Sequence, residues 1–326
     1  MSTRKLPARA DTVVLFAHGA YQLGSALKRR DTSLKYIEAR TPDEALTRIA
    51  EAHIVCVSMM WRNEWLAKAP KLAFVQSISA GMNQYDVAAF RALGVRLASA
   101  QGVNAQAVAE HAIAMTLSIT RQLHLARDHQ HKKFWRGMIG DPAQREDELA
   151  GKTMLIVGLG GIGGKLARIA KAFDMRVIGT RRDPAKGAGG ADAVFAATEL
   201  LKVLPRADIV VLTCPITPAT TNLMNAAAFA AMKPGAMLIN VARGAVVDEA
   251  ALVAALQSGK LASAGIDVTV EEPLPAASPL WTMPNVIVTP HTAGETRAYE
   301  ENVLDILLDN LARLERGETA LRNGFA

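Results

Sequence analysis

Cysteine is scarce in this chain: of 326 residues only Cys56 and Cys214 are thiols. Both stand in apolar, strand-like runs, which gives neither a disulfide framework nor a metal-ligand spacing. Aromatic residues make up 5% of the chain, and no basic block is interleaved with them, so a nucleic-acid surface is not indicated. No window holds roughly 18 uninterrupted apolar residues, so no membrane span is expected. The basic start, MSTRKLPARAD, is followed by an apolar run at 12–16 that is too short for a signal-peptide core. These absences fit a reducing cytoplasm and no membrane partner.

The formal charge of +6 and pI near 9.4 are spread thinly, with only short pairs such as Arg29-Arg30 and Arg181-Arg182. Such a modest field favours small anions and phosphorylated cofactors as well as anything larger. Half of the residues are apolar and 21% are charged, which excludes a disordered protein. The length suits two domains with a large core.

The most informative stretch is 155–163, LIVGLGGIG. Gly158, Gly160 and Gly163 spell G-x-G-x-x-G between a strand-like run, Thr153–Val157, and a helix-like run at 165–173. In such a turn the glycines make the bend, let backbone approach a pyrophosphate, and pack helix against strand. The helix N-terminus adds free N–H groups and partial positive charge. Strand and helix both flank the motif, so it reads as a dinucleotide site.

Short apolar runs alternate with helical patterns on both sides of it. In the first hundred residues 12–16, Ile54–Val57, 73–78 and 95–98 read as strands, and 42–50 and 85–93 as helices. A long apolar helix at 105–125 leads into a polar segment, 127–148. A second series of strands follows at Thr153–Val157, 175–179, 209–213, 237–240, 264–268 and 286–289, with a Gly/Ala-rich loop at 185–193. The fold class is therefore α/β with parallel sheets. The amphipathic helix at 295–316 comes too late to start a domain and is expected to pack back on the N-terminal unit. The domains expected are 1–103 with 296–326, discontinuous, and 104–295.

Four positions near strand ends carry chemistry. After the strand at 175–179, an NAD site places an acidic residue ~20 positions past the glycines, on the ribose hydroxyl. Arg181 stands there instead, with Arg182 beside it, and a guanidinium can fork onto a 2′-phosphate. Asp183 could still turn in and serve NAD, so NADP is favoured over NAD without excluding it. Arg243 in NVARG, Glu272 in VEEPL and His291 in TPHTAG follow later strands. Taken singly they read as a surface arginine, a loop carboxylate and a helix-capping histidine. Together they offer a fork for a substrate carboxylate, a proton carrier, and a carboxylate to orient it.

GLGGIG, VARGAVVDE, GIDVTVEEPLP and TPHTAG, in this order, resemble the successive signatures of the D-isomer-specific 2-hydroxyacid dehydrogenases. Upstream, VQSISAG and GVNAQAVAEHAIAM resemble that family's substrate loop and interdomain helix, so the resemblance spans nearly the whole chain. It implies two Rossmann-like or flavodoxin-like parallel-sheet domains with a cleft between them: a substrate-binding (catalytic) domain, 1–103 with 296–326, and a dinucleotide-binding domain, 104–295. Arg243 would hold the carboxylate of a 2-oxo acid, His291 would protonate its carbonyl as hydride arrives, and Glu272 would keep His291 protonated. N–H groups of Ser79, Ala80 and Gly81 would complete the carboxylate cradle. Gly161 and Ile162 would face the pyrophosphate, and Arg181 and Arg182 the adenosine phosphate. Thr213, Cys214, Pro215, Val241 and Ala242 would line the cofactor groove, and Asp267 would receive the nicotinamide amide.

The activity so implied is NAD(P)-dependent reduction of a small 2-oxo acid such as glyoxylate or hydroxypyruvate to the D-2-hydroxy acid, by a homodimer. Glu272 stands where a formate dehydrogenase of the family would carry glutamine, and the chain ends without room for the regulatory extension of many phosphoglycerate dehydrogenases. Phosphite oxidation, or a nicotinamide-nucleotide-sensing corepressor on the same fold, are the alternatives. Other residues have plainer readings. His111 is expected to be a packed helix histidine. His124, His129 and His131 lack the pairing of a metal site. Trp135 and Trp281 would shape the substrate pocket or simply pack, and Met59-Met60-Trp61 carries no assignment.

Overall fold

The computed structural model describes residues 4–82 and 84–326. The first three residues of the basic N-terminal stretch therefore lie outside it. The chain divides into two compact units, Met1–Asn104 with Thr296–Ala326, and Ala105–Glu295.

The first unit holds β1 (Val13–Ala17), β2 (Lys35–Ala39), β3 (Ile54–Val57), β4 (Phe74–Ser77) and β5 (Arg96–Ala98). They form one parallel sheet in the order β2-β1-β3-β4-β5. β3 and β4 are buried along their whole length, as central strands covered on both faces must be. β2, KYIEA, was not expected: as an edge strand it buries only Ala39, so no apolar run marks it. The helix Tyr299–Glu315 belongs to this unit. Its buried stripe, Val303, Leu304, Leu307 and Leu311, joins the core built from Leu23, Leu27, Val14 and Phe16. Asn310 is fully buried there and is satisfied by Gln76 Oε1 at 3.0 Å and by the backbone of Arg322.

The second unit holds β6 (Thr153–Val157), β7 (Arg176–Arg181), β8 (Ala193–Ala196), β9 (Ile209–Leu212), β10 (Ala236–Asn240), β11 (Leu261–Ile266) and β12 (Val286–Val288). All pair parallel, in the order β12-β11-β10-β9-β6-β7-β8. The chain reverses its direction of winding between β6 and β9. That switch point is where open α/β sheets bind ligands, at the carboxyl ends of the strands. β8 is the second strand missing from the sequence reading, half-buried at an edge and hidden by the Gly/Ala-rich loop before it.

The helix expected over 105–125 is two helices, Ala105–Thr120 and Leu123–His131. Gln122 breaks it by adopting a left-handed conformation, φ +52°. The second helix buries none of its residues. Among the described residues no helix is long and apolar enough to cross a membrane.

Candidate active site

The glycine turn joins β6 to the helix Gly161–Ala172. Gly158 sits at φ +108°, and a Cβ there would come within 2.7 Å of the Cys214 nitrogen. A Cβ on Gly163 would meet the Gly158 oxygen at 2.6 Å. The fold itself therefore demands these two glycines. Gly160 and Gly161 are different: a Cβ on either would have no atom within 4 Å. Gly160 is extended, φ −103° and ψ −151°, a conformation open to any residue. Space is kept clear at the helix N-terminus, where N–H groups lack intrahelical acceptors. These residues fit a pyrophosphate approaching the backbone.

Thr213, just past β9, donates its hydroxyl to the Gly158 oxygen at 2.8 Å and so holds the turn closed. Cys214 is buried beside it, and burial pushes its thiol up to about 11. Arg181 ends β7 and donates to the Gly187 oxygen at 2.7 Å, closing the loop that follows. Arg182 is exposed. Asp183 is engaged otherwise: its carboxylate accepts from the Ala185 N–H at 3.1 Å as the cap of a short turn.

At the end of β10, Val241 and Ala242 are buried and Arg243 is exposed. Buried Asn240 shapes this loop, accepting from the Ala242 N–H and donating to the Arg243 oxygen. The Arg243 guanidinium bonds the Ala242 oxygen at 2.6 Å and has no carboxylate partner among the described residues. A Cβ on Gly244 would stand 1.9 Å from the Thr269 oxygen, so this backbone lies directly against the loop leading to Glu272. Glu272 accepts from the Thr269 N–H at 3.1 Å with one oxygen and meets His291 Nδ1 at 2.7 Å with the other. Both side chains remain partly exposed, 46% for His291 and 38% for Glu272, so the pair is open to a ligand.

Asp267, 3% exposed and one residue past β11, organises the turn that carries His291. Its backbone oxygen accepts the His291 N–H at 2.8 Å. Its carboxylate accepts the N–H groups of Thr292 and Ala293 at 3.0 and 3.1 Å and the Thr289 hydroxyl at 2.6 Å. His291 is thereby held at φ +55°, a left-handed conformation that costs a side-chain-bearing residue of order 1–3 kcal/mol.

In the first unit, Ser79, Ala80 and Gly81 follow β4. The Ser79 N–H is spent on Ser77 Oγ at 3.3 Å. The N–H groups of Ala80 and Gly81 have no acceptor among the described residues.

Residues 113–293 match the family model of the D-isomer specific 2-hydroxyacid dehydrogenase NAD binding domain, more than half of the chain. This chain belongs to that family. Over 255 residues it is 38% identical to glyoxylate/hydroxypyruvate reductase B of Citrobacter koseri, covering 78% of each chain. Its fold is similar to a D-isomer specific 2-hydroxyacid dehydrogenase family protein from Aeromonas salmonicida, with TM-score 0.81, 32% identity, and 97% and 100% of the two chains covered. A D-isomer specific 2-hydroxyacid dehydrogenase from Xanthobacter autotrophicus, solved with NADPH and MES, gives 0.78 at 30% identity, with 96% and 98% covered.

As a D-2-hydroxyacid dehydrogenase, the protein is an oxidoreductase of 2-hydroxy and 2-oxo acids that uses a nicotinamide dinucleotide. Two residues at the centre of this site were missed or read blandly in its sequence. Thr289 precedes the TPHTAG histidine by two positions and bonds Asp267; the only signal was a hydroxyl at a strand end. His111, expected to be simply packed, has its Nε2 3.0 Å from Thr289 Oγ1 and 3.6 Å from Asp267 Oδ1. Trp61 is core, 2% exposed, while Trp281 is half-exposed with its indole N–H on the Pro275 oxygen. Trp135 is 94% exposed.

Proposed function

We propose that this D-2-hydroxyacid dehydrogenase reduces a small 2-oxo acid, glyoxylate or hydroxypyruvate, to the D-2-hydroxy acid, with NADPH preferred. The observation that carries this reading is the Glu272–His291 pair of 2.7 Å, on a turn fixed by Asp267. The nicotinamide supplies the hydride when bound. His291 delivers the proton to the substrate oxygen from Nε2, because Nδ1 is engaged by Glu272, which orients the ring. Arg243, with no carboxylate partner of its own among the described residues, forks onto the substrate carboxylate and draws charge from the carbonyl. The second unit is the dinucleotide-binding domain and the first the substrate-binding domain, where the open Ala80 and Gly81 N–H groups bind substrate oxygen; Ser79 contributes its place in the turn.

The open N-terminus of helix Gly161–Ala172 takes the pyrophosphate at Gly161 and Ile162. Among the described residues Asp267 Oδ2 accepts a single N–H, leaving capacity for the carboxamide of the nicotinamide. Cys214, Pro215, Val241 and Ala242 wall the groove, with Thr213 bracing the glycine turn. NADPH is favoured because Arg181 and Arg182 stand where an NAD site needs a carboxylate, and Asp183 is held as a cap.

A homodimer in the cytoplasm completes the reading. Phe134, Trp135 and Met138 are exposed beside a groove of about 830 Å³ that also includes Leu125 and Ala126, and an apolar surface of that kind suits a second copy of the chain. Nicotinamide absorbance followed with both cofactors across a panel of 2-oxo acids tests the assignment. Fastest turnover of glyoxylate or hydroxypyruvate with NADPH supports it. Cofactor binding without turnover of any 2-oxo acid contradicts it.

A further inference from the structure

His111 lies on the helix Ala105–Thr120, remote in sequence from every catalytic motif. Packing brings it to the site. A Cβ on Gly265 would stand 3.2 Å from Met115 Cβ, so the missing side chain lets this helix close on β11. His111 is one helical turn before Met115, and Asp267 is two residues after Gly265. The close approach therefore sets the imidazole beside the carboxylate, 3.6 Å from Nε2 to Oδ1.

The hydrogen-bond directions follow from counting protons. Thr289 has one hydroxyl proton, and the 2.6 Å contact with Asp267 Oδ1 takes it, because a carboxylate only accepts. The Thr289 oxygen then faces His111 Nε2 at 3.0 Å as an acceptor. His111 must carry a proton on Nε2 and donate it. The chain of donors runs from His111 to Thr289 to Asp267. Asp267 in turn holds the consecutive N–H groups of His291, Thr292 and Ala293, the first through its backbone oxygen and the others through its carboxylate.

We infer that His111 is a positioning residue: its Nε2–H fixes the Thr289 hydroxyl, and through it the Asp267 carboxylate that holds the His291 turn in its left-handed conformation. It acts through Thr289 and Asp267. Its catalytic consequence rests on the proposed role of His291, whereas its effect on the turn does not. A helix histidine that is partly exposed needs no protein partner, since water would serve; this one donates into the turn of the proton carrier.

The test compares H111L, which removes the donor, with H111Q, whose amide can offer an N–H at a similar reach. Hydrogen exchange in the native protein reads the turn directly, without substrate. Peptides covering 289–295 should exchange about fivefold faster in H111L and within about twofold of wild type in H111Q, while 105–120 stays unchanged. With NADPH and glyoxylate, kcat should fall about tenfold in H111L, with KM within about threefold, and recover in H111Q. T289V should lose as much as H111L, and the double variant no more than T289V alone. Unchanged exchange at 289–295 in H111L, or additive losses in the double variant, would overturn the inference. If the wild-type protein reduces no 2-oxo acid, the proposed function fails while the exchange comparison still decides the role of His111.

Discussion

Glu272 ties the loop after β11 to the turn after β12: Oε2 meets His291 Nδ1 at 2.7 Å, while Oε1 accepts the Thr269 N–H at 3.1 Å. The carboxylate is anchored before the imidazole uses it, so the ring is oriented without help from substrate. E272Q keeps the shape of this contact and removes its charge. The expected outcome is a loss of about 10- to 100-fold in kcat for reduction, with NADPH affinity within about twofold. Steady-state kinetics beside a cofactor titration check it; a kcat within twofold of wild type would leave Glu272 with no electrostatic role.

The glycine turn separates folding from binding. G163A puts a methyl 2.6 Å from the Gly158 oxygen and should cost about 1–3 kcal/mol of stability. G160A meets no protein atom within 4 Å, so stability should hold or rise by about 0.4–1 kcal/mol, while cofactor affinity falls because the methyl fills the phosphate approach. Thermal melts and cofactor titrations distinguish the two. Equal cofactor affinity in G160A and wild type would place the pyrophosphate elsewhere.

Arg181 decides between cofactors. R181D replaces a cation that can pair with the 2′-phosphate by an anion that repels it. NADPH should weaken by about 10- to 150-fold, the equivalent of one charged hydrogen bond of about 1.5–3 kcal/mol, while NADH holds or improves. An unchanged ratio of the two dissociation constants would return Arg181 to its single observed task, closing the loop on the Gly187 oxygen.

The thiols should be inert. Burial pushes Cys56 upward and Cys214 to about 11, so at pH 8 only about one Cys214 thiol in 1,000 is thiolate. The native protein should give no fast reaction with a thiol reagent near pH 8, with Cys214 labelling faster as pH rises towards 11. Both thiols should react once the chain is unfolded. Rapid labelling at neutral pH would mean that the groove beside Gly158 is far more open than its buried cysteine indicates.

The apolar surface at 134–138 gives a prediction about assembly. Light scattering should report twice the 34.8 kDa chain mass for wild type and a single mass for W135E. A monomeric wild type would leave Phe134, Trp135 and Met138 without the partner assigned to them.

The sequence disclosed the buried parts of the fold better than its edges. Ile54–Val57 and Thr153–Val157, central strands with nearly every side chain buried, matched residue for residue. β2 was missed because this edge strand buries only Ala39 and carries no apolar run, and β8 because its half-buried AVFA merges with the Gly/Ala-rich loop before it. The break at Gln122 was invisible because the apolar pattern continues to Leu125, whereas a single left-handed residue redirects the chain. At the candidate site the motifs named Arg243, Glu272 and His291, and the fold brings the last two within 2.7 Å. Thr289 and His111 were not legible from motifs, since their roles arise from a helix closing on β11 at Gly265, a contact between positions far apart in the chain.

The most direct measurement is paired turnover and binding for H291A. The account predicts that NADPH binds this variant about as tightly as wild type, while reduction of glyoxylate falls by about 10²–10⁴-fold, because the proton carrier alone is gone. Turnover within a few-fold of wild type would contradict it.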